Sequence, residues 1–178
     1  FWEVYAKGTW TVNDQFALGG GVYYSTNVLN TGADGTYVYG SAKFTAPGNL
    51  LPMGLGLYVS GEVGHWFLGT SDNFFCTQVA LGGGGFGCGA PFPNGVPYAS
   101  YTTWNLGFGI TRSVFTLDFR YSDTNLSKGD CNAFTSDHTA TFTGSFTPIN
   151  PGGFGSNWCG QTFYVKGSFD LTAMTNIK

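Results

Sequence analysis

Residues 1–12 alternate without a break, with Trp2, Val4, Ala6, Trp10 and Val12 on one parity and Glu3, Tyr5, Lys7, Thr9 and Thr11 on the other. Successive side chains of a strand point to opposite faces, so this segment reads as a two-faced strand. The pattern returns in 114–122, where Phe115, Leu117, Phe119 and Tyr121 oppose Thr116, Asp118, Arg120 and Ser122. Period-2 runs between turn residues predict seven strands, at about 1–12, 16–26, 35–46, 55–68, 99–111, 114–124 and 162–172, and no helical period competes with them. Each run fits the roughly 9–11 residues, plus interfacial ends, of a tilted membrane-spanning strand.

The connections sort by size. Asn13-Asp14-Gln15 and Arg112-Ser113 are tight, 47–54 is a modest turn, and 27–34, 69–98 and 125–161 are longer. Short and long strictly alternate, as in an antiparallel meander with turns at one rim and loops at the other. With the loops outside the cell, strands one and seven run the same way. An even-stranded barrel then requires an odd number of further strands before Phe1. The chain opens inside a strand pattern, without initiator Met, basic n-region or cleavage site, and a natural start further upstream is expected.

Charge placement sharpens the picture. Glu3, Lys7, Lys43, Glu62, Asp118, Arg120, Lys166 and Asp170 all fall on the parity opposite the apolar one, and Asp123 departs from it only at the loop end of its strand. An Arg or Lys on a lipid face at mid-membrane costs about 2–4 kcal/mol, so a lipid face should exclude them. An antiparallel sandwich with one buried face would alternate in the same way. The aromatics favour lipid, because they gather toward strand ends as two girdles. Tyr23, Tyr24, Tyr37, Trp66, Phe67, Tyr101 and Trp104 lie toward the loop rim, and Trp10, Phe16, Phe44 and Phe115 toward the turn rim. Glycines interrupt the runs at Gly19, Gly20, Gly21, Gly40, Gly61, Gly64, Gly107 and Gly109; in a soluble sheet they would suggest bulges or close packing, and in a barrel they relieve crowding where bulky neighbours lean over them and permit bending at closure.

Composition agrees. Of 178 residues only 10% are charged, against roughly 25% in soluble domains, while aromatics reach 18%. Mean hydropathy is near zero and no apolar run suits a spanning helix. Membrane residence must therefore use strands closed into a barrel, since backbone groups in hydrocarbon need internal partners. The whole of 1–178 reads as one domain without a linker. A net charge of −3 leaves no basic stripe for nucleic acid.

Four cysteines lie only in the two longest loops, and their placement favours Cys76–Cys88 and Cys131–Cys159 disulfides in an oxidising compartment. Zinc is the competing reading, but no Cys-x-x-Cys is present and only His65 and His138 could assist. Neither metal nor cofactor is expected. The dipeptide Asp137-His138 reads as a solvated loop pair rather than a base with its orienter, His65 as part of the aromatic belt, and Gly82–Gly85 as a flexible stretch rather than a phosphate loop. No enzymatic activity is expected.

Asn30–Tyr37, Ser60–Gly64 and above all Phe115-Thr116-Leu117-Asp118-Phe119-Arg120-Tyr121-Ser122-Asp123-Thr124, with Cys131 downstream, resemble the TorF family of porins. The resemblance covers most of the chain and is weakest through 69–98. It implies a Gram-negative outer-membrane β-barrel with further N-terminal strands, and no catalytic residue. One departure is the end, Met174-Thr175-Asn176-Ile177-Lys178, where many such barrels finish on an aromatic residue.

The function expected is passive diffusion of small hydrophilic solutes through a barrel whose wall carries Glu3, Glu62, Asp118 and Asp170 against Lys7, Lys43, Arg120 and Lys166. Such a wall can set a transverse field or fill a narrow interior with salt bridges. The rival is a structural or adhesive barrel whose cysteine-pinned loops contact a neighbouring protein, favoured by loop rings such as Phe74, Phe142, Phe146, Phe154 and Trp158. Outer-membrane lipid, solutes, and a second copy or a neighbouring envelope protein are the expected partners.

Overall fold

The computed structural model describes residues 2–48, 50–75, 78–81, 85–88, 95–135 and 137–171, with backbone alone for Phe75, 78–81 and 85–88. Seven strands form one antiparallel sheet. They are β1 (Val4–Thr11), β2 (Phe16–Ser25), β3 (Gly35–Thr45), β4 (Gly56–Leu68), β7 (Tyr101–Arg112), β8 (Phe115–Thr124) and β11 (Thr162–Phe169). Their order in the sheet is the order in the chain, β1-β2-β3-β4-β7-β8-β11, so the sheet is a pure meander. All seven expected strands are present, trimmed by one to three residues at most ends.

The sheet is not closed. Strands β1 and β11 are its two edges, and closure of the kind expected from sequence is absent among the described residues. The geometry explains why: in a seven-strand meander the two edge strands run in the same direction, so they cannot pair antiparallel with each other.

The long connections carry structure that the period-2 pattern does not announce. Between β4 and β7, strands β5 (Gln78–Leu81) and β6 (Gly85–Cys88) form a small hairpin. Between β8 and β11 lie the helix α1 (Lys128–Thr135) and a two-residue pairing of β9 (Thr141–Phe142) with β10 (Phe154–Gly155). The helix is a correction to the all-strand expectation, and its start is chemically marked. The Asp130 N–H donates to Ser127 Oγ at 3.0 Å, the N-cap half of a capping box, and the Ser127 hydroxyl in turn donates to Asp130 Oδ2 at 2.7 Å. No helix among the described residues is long and apolar enough to cross a membrane.

Cross-strand register puts the two parities on two faces throughout. On one face, Val22 pairs Val38, Phe16 pairs Phe44, Val63 pairs Trp104 and Phe108 pairs Phe119. This apolar face stays uncovered: Val63 is 55% and Leu106 61% exposed. Among the described residues the buried hydrophobic ones are Ala33, Val96 and Cys131, all in the loop region, so the seven-stranded sheet has no apolar core. The surface confirms the imbalance. The chain exposes 11235 Å², whereas a compact soluble chain of its mass would expose about 8,400 Å².

Candidate functional site

The polar face of the sheet holds the charged residues. Lys7, Lys43, Glu62, Asp118, Arg120 and Lys166 all lie on it by register. The charged strand residues of the other parity are Arg112 and Asp123, at opposite strand ends. Glu3 and Asp170 flank β1 and β11 rather than lying within them. The even balance of signs expected along the wall therefore depends on two residues outside the strands. Within the strands this face carries four bases and two acids.

The centre of the face is a cluster that bridges three strands. Arg120, on β8, grips Asp118 two residues earlier, with Nε to Oδ1 at 3.1 Å and Nη2 to Oδ2 at 3.0 Å. Its guanidinium also donates to Asn105 Oδ1 on β7 at 2.5 Å and to Ser60 Oγ on β4 at 2.8 Å. Tyr58 reaches from β4 in the opposite direction, its hydroxyl donating to Asp118 Oδ2 at 2.5 Å. Both side chains must cross β7 to do so. They cross over glycines: a Cβ on Gly109 would collide with the Tyr58 ring, and Gly107, which lies in register between Ser60 and Arg120, has room for no Cβ, since one would come 2.6 Å from Phe119 O and 3.2 Å from Arg120 Cβ. The glycines expected to relieve crowding thus let long polar side chains lie across the sheet.

Asp118 is 8% exposed, and Arg120–Asp118 is the sole ion pair among the described residues. A bidentate, partly buried pair of this kind supplies a rigid anchor. Lys43 Nζ sits 4.4 Å above the Tyr58 ring, and Lys166 is the cross-strand neighbour of Asp118. Beside the cluster, a groove of about 420 Å³ is bordered by Lys43, Ser60, Glu62, Asn105, Arg120 and Tyr164. Its lining offers hydrogen-bond donors and acceptors of both signs to a hydrated solute.

The structure brings together Lys43, Asp118, Arg120 and Lys166, with Glu62 at the same groove. Lys7 stands apart, its Nζ 5.7 Å over Tyr5. Glu3 lies at the loop rim beside a second cavity, and the Asp170 N–H closes the turn rim by donating to Val114 O at 2.8 Å. Tyr58, Ser60 and Asn105 were not singled out from sequence, although strand parity marks all three as facing the charges.

The upper aromatic girdle needs correction. Tyr24, Phe67 and Trp104 do face the apolar side, but Tyr23, Tyr37, Trp66 and Tyr101 lie on the polar side, in register with one another and with Tyr5. The lower set, Trp10, Phe16, Phe44 and Phe115, is apolar-facing as expected.

At the loop rim, Cys131 and Cys159 form a disulfide. The expected Cys76–Cys88 pair lies outside the described residues. Asp137 accepts hydrogen bonds from Ser156 Oγ at 2.6 Å and from the N–H and Oγ1 of Thr139 at 2.8 and 2.6 Å. Burial by itself would raise its pKa, but those hydrogen bonds, with the His138 charge, hold the carboxyl below its ordinary value. His138 packs edge-on against Trp158, at 5.9 Å between ring centres. Asp137 thus pins its own loop. His65 is on the apolar side, its Nδ1 2.8 Å from Thr102 Oγ1 and its ring against Phe67. No group of His, Cys, Asp and Glu suited to a metal occurs among the described residues. No family model, curated protein or solved structure matches the chain.

Proposed function

We propose that the sheet is part of the wall of an outer-membrane β-barrel porin, with lipid against its apolar face and a water-filled passage for small hydrophilic solutes along its polar face. One observation carries this reading: the apolar face is exposed across all seven strands while every charge away from the strand ends lies on the opposite face. A soluble protein leaving so large a continuous apolar surface in water would aggregate. Hydrocarbon satisfies that surface, and a closed ladder satisfies the backbone. Because β1 and β11 run in the same direction, antiparallel closure calls for an odd number of additional strands.

Reconstitution of the full-length protein into liposomes tests the passage. Swelling in isotonic small solutes, falling off with solute size, is the expected result. Full protein incorporation without swelling would refute it. A second reading, a structural or adhesive barrel, draws on the loop rings: Phe142 is 66% and Phe146 64% exposed, although both pack edge-on with each other. Intact binding to a partner envelope protein with no swelling would favour that reading.

A further inference from the structure

A row of five aromatic rings crosses the polar face near the loop rim. Register places Tyr5 opposite Tyr23, Tyr23 opposite Tyr37, Tyr37 opposite Trp66 and Trp66 opposite Tyr101. The rings are in contact along most of the row. Tyr5 and Tyr23 are stacked at 5.2 Å, Tyr23 and Tyr37 approach to 6.2 Å, and Tyr37 and Trp66 are stacked at 4.9 Å. Tyr39 widens the row, stacked on Tyr37 at 5.9 Å. Beyond Tyr101 it continues into the loop cap through Phe134 of α1.

Three features distinguish this row from ordinary core packing. It lies on the same face as the charges, where neither lipid nor a second protein layer calls for rings. The rings also lie down over the sheet. A Cβ on Gly64 would collide with the Tyr37 ring, and one on Gly21 would come 2.7 Å from Tyr39 Cε1. Tyr5 is 62% exposed and Tyr23, Tyr37, Trp66 and Tyr101 are each partly exposed, so the row keeps ring surface open. Finally, the row borders a cavity of about 290 Å³ lined by Trp66, Tyr101 and Phe134, the aliphatic Val28 and Leu29, and Glu3, close to the size of small-molecule sites.

The polar groups beside the row are mostly uncharged. Ser41, Asn105 and Thr103 share the face within two rungs, and Glu62 accepts a hydrogen bond from the Tyr37 hydroxyl at 3.4 Å. Flat apolar platforms flanked by hydroxyl, amide and carboxylate groups match one solute chemistry: a sugar ring, apolar on its C–H face and hydroxylated around its edge. A simple anion gains nothing from the platforms, a simple cation would use only their faces, and a purely aromatic solute has no hydroxyl edge to offer the flanking groups.

We infer that this aromatic row is a carbohydrate-binding track, on which neutral saccharides stack ring on ring as they move between the loop-capped cavity and the charged groove. The inference rests on the porin reading for its path, but not for its binding. Strands of such walls tilt by about 45°, so a row perpendicular to them climbs the wall diagonally and serves as a route along the axis.

Saturation-transfer NMR of maltotriose with the full-length protein in an amine-oxide detergent tests the binding, with sorbitol as the open-chain control. Transfer to the sugar-ring C–H protons is expected, with little to sorbitol. It should fall at least tenfold in Trp66→Leu and in Tyr37→Leu, and persist in Tyr37→Phe, which keeps the platform. Absent transfer, equal transfer to sorbitol, or transfer unchanged in the Leu variants would overturn the track. Heat-dependent electrophoretic migration establishes folding of each variant; if a Leu variant misfolds, displacement of maltotriose from wild-type protein by excess sucrose but not sorbitol supports the track, and its absence overturns it. Liposome swelling separates the two claims. Swelling without saturation transfer leaves the pore and removes the track, whereas transfer without swelling does the reverse.

Discussion

The sheet and the loop cap are built on opposite rules. The sheet leaves much of its apolar face exposed, and its inner strands half-bury polar side chains such as Ser60, Glu62 and Arg120. In the cap the few fully buried groups include Ala33, Val96 and Cys131, next to buried polar residues Asp130, Asp137, Asn150 and Ser156. The cap is consequently held by specific pairings rather than by apolar area. Asn150 Nδ2 donates to Ser145 O and Phe154 O, Asp72 N–H to Thr31 O, and the Cys131–Cys159 bond ties α1 to the approach to β11. The difference teaches how each region treats its groups: the cap pairs its polar groups internally, whereas the sheet leaves an apolar face open, the face that the porin proposal assigns to lipid.

Removing the anchor of the polar face should have the largest effect. Arg120→Ala leaves Asp118 without its ion partner in a largely buried position, and breaking such a pair costs about 3–5 kcal/mol. Urea titration of the liposome-inserted protein should show that loss, and the double variant Arg120→Ala/Asp118→Ala should recover part of it. A double variant no better than the single would mean that the pair does not act as one unit.

The cap should respond separately. Cys131→Ser/Cys159→Ser opens a loop of 28 residues, which by chain entropy is worth about 3.6 kcal/mol. Proteolytic cutting within 125–161 should become rapid while heat-dependent migration of the sheet is retained. Simultaneous loss of both would erase the distinction between the regions.

Leu106→Arg probes the apolar face. Against lipid it should cost about 2–4 kcal/mol in the same urea titration, whereas an exposed position in water would change stability by less than about 0.5 kcal/mol. Gly109→Ala is expected to weaken the sheet by about 1–3 kcal/mol, since the added methyl displaces Tyr58 from Asp118. Adding Tyr58→Ala should relieve the clash.

The smallest effect is one of pH, confined to the cap. The folded-state pKa of Asp137 is depressed, so its contribution is complete above the unfolded value of about 3.9 and is lost as pH falls through the lower folded value. The protection of the Thr139 amide against exchange, relative to an unstructured amide at the same pH, should fall at acidic pH in the wild type, since Asp137 accepts its N–H. In Asp137→Asn that protection should already be lower at neutral pH and nearly independent of acid.

Much of this was legible in the residues. Leu117, Phe119 and Tyr121 against Asp118 and Arg120 define two faces before any pairing is known, because a strand has no other way to place them. The helix α1 was missed because eight residues carry too little periodicity, although Ser127 and Asp130 mark its start. The upper aromatics were missed as a set, since strand ends were weighed above parity and Tyr23, Tyr37, Trp66 and Tyr101 were grouped with Tyr24, Phe67 and Trp104. Nothing local connects Tyr58 to Asp118, or Arg120 to Ser60, across 60 residues.

Alternation alone determined the seven strands and the segregation of charge from apolar groups, because side-chain direction in a strand has a period of two and depends on no neighbour; connection lengths added the expectation of a meander. Only the tertiary structure decided which residues share a rung. That choice depends on register between distant strands, and it turned scattered tyrosines into one stacked row and seated Arg120 over Gly107 beside Asp118.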